Sequence, residues 1–145
     1  MQKSSFLCFE VIWKDEHMIE LEITASNVLF YGVTQVYEQF EDLITLSEQL
    51  SNFSLLSTPL FYECGERDSY SYFSVRFCPV VTSGTIGVQI NMEQNIKATE
   101  YRQEEKSKLS LEILVEPAAI DEFCLFLKTM AEKQHGKAEL RGRLN

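Results

Sequence analysis

The sequence predicts an α+β fold with two antiparallel β-sheets and two helices in a duplicated strands-then-helix order. Apolar and polar residues alternate through short stretches in both halves, as half-buried strands do. Each half then switches to helical spacing, first near residues 36–50 and again near 120–131. The strands alternate instead of running continuously apolar. That pattern suits antiparallel sheets with one covered face.

Taken in order, Leu7, Phe9, Val11 and Trp13 alternate with Cys8, Glu10 and Ile12 and predict a first strand. Asp15-Glu16-His17 makes a polar turn. Ile19, Leu21, Ile23 and Ala25, set against Glu20, Glu22 and Thr24, complete a hairpin. A short third strand is expected over Val28 to Tyr31. Val36, Phe40, Leu43, Ile44, Ser47 and Leu50 then predict a helix over 35–51 with Thr34 as its N-cap and an acidic outer face. In the second half, Leu60 to Cys64, Phe73 to Phe77, Ile86 to Met92 and Leu109 to Val115 read as strands. Residues 94–107 are sparse in apolar members; they are either a loop or an extension of the flanking strands into a hairpin arm. Pro117 opens the second helix, whose apolar stripe is Ile120, Phe123, Cys124, Leu127, Met130 and Ala131. Gly136 is the expected C-cap. Residues 1–136 thus form one domain, and 137–145 are expected to be a polar, mobile tail.

Composition bounds the function. The chain has 145 residues, 45% of them apolar, enough for a core without staples. The N-terminus lacks the pattern of a signal peptide and no apolar run could span a bilayer, so a cytoplasmic protein with no membrane partner is expected. Four cysteines, none in a C-x-x-C pair, read as reduced thiols used as small hydrophobes. No metal-ligand spacing, phosphate-binding loop, dinucleotide fingerprint or nucleophile elbow stands in the chain, so no catalytic residue, metal or cofactor is expected, and no enzyme. Net charge is −9, and its placement is uneven: residues 1–72 hold twelve acids and three bases, whereas residues 73–145 hold ten of each. A negative front half repels nucleic acid as a main ligand and attracts a basic partner.

Two segments look like binding surfaces. Tyr62, Glu63, Glu66, Asp68, Tyr70 and Tyr72 combine aromatics and acids around a turn. Tyr70 and Tyr72 have the parity opposite to Phe73, Val75 and Phe77, so both are expected to face away from the core. Tyrosine suits such a surface because it pairs apolar area with one polar tip. The second candidate is the acidic face of the first helix, with Glu38 and Asp42. Glu20 and Glu22, on one strand face, read as a solvated surface.

The two-part layout, the strand Tyr72-Phe73-Ser74-Val75-Arg76-Phe77, and the ending Leu111-Glu112-Ile113-Leu114-Val115-Glu116-Pro117 followed by Ile120-Asp121-Glu122-Phe123 together resemble the immunity proteins of bacterial contact-dependent growth inhibition systems. The resemblance spans most of residues 4–134. It is one of layout, size and acidity, and it transfers no set of site residues. It implies a protein that binds a cognate toxin domain, often a basic nuclease, and occludes its active site or substrate path. The repeated sheet-then-helix order is also similar to the Whirly fold. That likeness implies the alternative of a single-stranded nucleic-acid-binding protein, against which the lack of a basic groove argues.

Overall fold

A computed structural model of the chain describes residues 4–53, 58–65, 70–80, 84–96, 98–103 and 105–143. Among these residues the chain forms β1 (Phe6–Lys14), β2 (Ile19–Ser26), β3 (Tyr31–Glu38), α1 (Phe40–Ser51), β4 (Leu60–Gly65), β5 (Ser71–Pro79), β6 (Ile86–Ile96), β7 (Glu105–Val115), α2 (Pro117–Lys133) and β8 (Lys137–Arg141). Two antiparallel four-stranded sheets result, ordered β3-β2-β1-β8 and β4-β5-β6-β7. The fold class, an α+β arrangement of strands, helix, strands and helix, is the one the periodicity predicts. No helix among the described residues is long and apolar enough to cross a membrane.

The inward rows of both sheets and one stripe of each helix share a single core. Phe9 stands at its centre, fully buried. Its ring meets Phe73 edge-on at 5.5 Å between centroids and Phe123 edge-on at 5.6 Å, with Tyr62 at 6.4 Å. One residue of β1 therefore ties the first sheet to β4, β5 and α2 through favoured aromatic geometries. β3 also seals the two sheets together. A Cβ on Gly32 would meet the side-chain end of Leu109 of β7, so glycine lets the strand approach without displacing that leucine. The Ser71 hydroxyl donates to the Gln35 carbonyl at 2.6 Å and satisfies part of the β3 edge.

Four expectations need correction. The first helix starts at Phe40, with Gln39 as N-cap, and residues 31–38 are strand rather than helix or turn. Val36 and Phe40 sit four apart, which suits a helix, but Tyr31, Val33, Val36 and Tyr37 are strand formers and β2 offers them a full pairing register. Trp13 does not point inward. The register of β1 on β2 shifts between Val11 and Trp13, and this bulge turns Trp13 to the outer face opposite Glu20. Tyr72 has the expected parity but is only 2% exposed; Ser74 and Glu93 beside it on the outer face are buried too. Finally, residues 137–141 are not a mobile tail. Ala138 and Leu140 pair with Phe9 and Leu7 across the open edge of β1 and are fully buried. Two apolar residues among five are too short a pattern to announce a strand, yet a vacant sheet edge accepts them.

The ends of the segment 94–107 extend the flanking strands, since β6 runs to Ile96 and β7 begins at Glu105, and Thr99 and Arg102 form an isolated bridge between them. The α2 stripe is buried as the spacing predicts. The β8 pairing has a direct test. Leu140→Ala should destabilise the protein by about 2–5 kcal/mol in urea unfolding, the usual range for a buried leucine. A tail residue would give no change.

Candidate functional site

β3 is an edge strand, and its pleat divides its side chains between two surfaces. Thr34, Val36 and Glu38 share the inward face with their β2 partners Ile23, Leu21 and Ile19, whereas Gln35 and Tyr37 share the outward face with Glu22 and Glu20. The inward row thus ends in a carboxylate. Glu38 is half-buried at the point where β3 passes into α1. The Tyr62 hydroxyl donates to its Oε2 at 2.5 Å and the Gln39 N–H donates to its Oε1 at 3.0 Å. Asp42, in the first turn of α1, shares a side-chain hydrogen bond with it. Burial, and then the bond and repulsion from Asp42, push the Glu38 carboxyl up to about 7, against the opposing donors Tyr62 and Gln39.

β4 supplies the other wall. Tyr62 faces the core and its burial drives its own hydroxyl pKa far above the ordinary range. Glu63, the next residue, is exposed and accepts a hydrogen bond from the Tyr72 hydroxyl at 2.6 Å. Glu38, Asp42, Thr45, Gln49, Tyr62 and Glu63 line one concavity of about 290 Å³. α1 has no side-chain cap at Gln39; Glu41 and Asp42 offset its N-terminal dipole instead.

The two segments singled out in the sequence therefore converge in part. Glu38, Asp42, Tyr62 and Glu63 come together, although Glu38 belongs to a strand end and not to a helix face. Tyr72 braces Glu63 from a buried position and is not a contact residue. Tyr70 is exposed and lies on a different surface, a cleft of about 490 Å³ lined by Glu20, Gln35, Tyr37, Gly65, Tyr70, Ser71 and Gln94. Glu66 and Asp68 lie outside the described residues. Sequence reasoning missed Tyr37 and Glu20 as members of that cleft. Alternation on β2 had put Glu20 on an outward row, but nothing local announced that β5 and β6 would approach it.

The concavity is rich in acceptors. Its nearest thiol, Cys64, is buried and held well above its ordinary pKa by desolvation, so it is a poor nucleophile. Among the described residues no three His, Cys, Asp or Glu side chains group to hold a metal ion. What the arrangement suits chemically is a cationic group. No protein-family model, curated protein or solved structure matches the chain.

The raised Glu38 carboxyl has a stability consequence. The folded state holds this proton more tightly than the unfolded state, so its contribution is present below the unfolded value of 4.5 and is lost as pH rises through about 7. Glu38→Gln should therefore gain on the parent protein between pH 5 and pH 8, by about 1 kcal/mol once solvent screening of a half-exposed group is allowed for. Urea unfolding at both pH values checks this. An identical difference between the two proteins at pH 5 and pH 8 would contradict it.

Proposed function

We propose that this chain is an immunity protein that binds a cognate, basic toxin domain and neutralises it by occluding its active site or substrate path. The observation that carries the proposal is the convergence of Glu38, Asp42 and Glu63 from three elements around one concavity, in a chain of net charge −9. A nuclease toxin must present lysines and arginines to hold phosphates, and these are the groups the concavity would accept. The surrounding field steers encounter, and burial of the charge pairs slows release. Action is stoichiometric, and no bond is made or broken in the partner.

The alternative of single-stranded nucleic-acid binding has less support. The outward row of β4, β5, β6 and β7 carries Arg76, Lys106 and Lys108, but Glu63, Glu93 and Glu112 share it. Lys106 is paired with Glu93 at 3.5 Å. A mixed face of this kind offers a phosphate backbone no continuous basic track.

The proposal expects a toxin gene beside the gene for this chain, and the test uses the toxin domain that such a gene encodes. Equimolar chain should abolish its activity. Asp42→Lys with Glu63→Lys should slow association about tenfold or more at low salt and flatten its salt dependence. Binding should also tighten from pH 6 to pH 8, because a cation displaces the proton that Glu38 holds up to about 7. Association that ignores the double charge reversal at low salt would refute the proposed surface.

A further inference from the structure

The outer face of the β3-β2-β1-β8 sheet holds a second constellation. We propose that it is an arginine seat: a guanidinium of the basic partner lies between Tyr37 and Tyr70 over the Glu20 carboxylate, with Trp13 backing Tyr37. The inference rests on the proposed function only for the identity of the partner; recognition of the guanidinium is a property of this surface.

Three independent features build the seat. The bulge in β1 rotates Trp13 out of the core and into the row Trp13-Glu20-Tyr37, where its ring meets Tyr37 edge-on at 6.4 Å. Bulges often re-aim a side chain beside a binding site. The three aromatics stay wet in the free protein: Trp13 is 49% exposed, Tyr37 55% and Tyr70 59%. Second, the row beside them runs Gln35, Glu22, Glu10 and Lys137, so Glu10 has a base opposite it whereas Glu22 faces only Gln35 and a like charge. Neither Glu20 nor Glu22 has an ion pair with any described residue. Third, Tyr37, Tyr70 and Glu20 meet at the cleft of about 490 Å³, whose other side chains are Gln35, Ser71 and Gln94. That volume falls in the range of ligand clefts.

Chemistry narrows the occupant. Glu20, Glu22 and Glu10 repel phosphates, so a nucleobase stacked on these rings would bring an unfavourable backbone with it, and an anionic lipid surface would be repelled in the same way. A cation over aromatic faces is attracted by their quadrupoles. Guanidinium is favoured over ammonium because it is planar, weakly hydrated, stacks on rings and meets a carboxylate with two parallel bonds.

Trp13 is the only tryptophan in the chain, so its emission reports on this face. The full chain is titrated at low salt with an eight-residue arginine-rich peptide and with a lysine-rich peptide of equal length. A saturable change is expected with the arginine peptide, several-fold weaker with lysine. Glu20→Gln or Tyr37→Ala should weaken it at least fivefold, whereas Asp121→Asn with Glu122→Gln, exposed on α2 and outside both surfaces, should leave it within about twofold. Equal affinity for the two peptides, indifference to both Glu20→Gln and Tyr37→Ala, or no saturable change would overturn the seat. Toxin neutralisation that survives in Glu20→Gln and Tyr37→Ala overturns the seat as a partner contact and leaves the proposed function standing. Arginine-peptide binding without neutralisation supports the seat and refutes the function.

Discussion

Alternation along β3 is the constraint from which both surfaces follow. A strand sends successive side chains to opposite faces, so Tyr37 and Glu38 cannot share one. The in-out register against β2 is fixed because Val36 must lie on Leu21, and a slip of one residue would bury Tyr37 and expose Val36. Glu38 is thereby committed to the inward row at its mouth. Tyr37 is committed to the outer face beside Glu20. Gly32 and the Ser71 hydroxyl hold the strand against the second sheet, which is how residues of β4 and β5 come to line both surfaces.

The inward carboxylate is maintained against the preference of the fold. A buried acid wants a proton or a cation, and Asp42 close by makes the ionised state less favourable still. Tyr62 and the Gln39 amide relieve only part of this. A neutral side chain in place of Glu38 would be spared this cost above pH 7, and the proposed basic partner would offset it in the complex. The outer face has the same character in milder form, with Glu10 opposed to Glu22 and three aromatics left in water. Neither surface is explained by packing.

The fold class was legible because its cause is periodicity. Six of the strands and the α2 stripe follow directly from where apolar residues fall, and β1, β2 and α2 keep nearly their expected spans. The failures have tertiary causes. Residues 31–38 fit two periods at once, and pairing with β2 decided between them. β8 exists because β1 has an open edge, which no local pattern announces. The bulge at Val11 to Trp13 reverses a parity that alternation alone would have extended. Tyr72 was assigned the correct face, but exposure depends on what covers a face, which alternation does not report. The acids of the pocket were visible one by one; their convergence required the β3-to-α1 junction to meet the β4 edge.

Amide chemical-shift mapping of the isotope-labelled chain, titrated with the basic toxin domain proposed as its partner, tests the central claim most directly. The largest shifts are expected over residues 38–43 and 62–65, at the junction of β3 with α1 and along β4. Shifts confined to the outer face of α2 and to β7, with the junction and β4 silent, would contradict an acidic pocket that receives a basic partner.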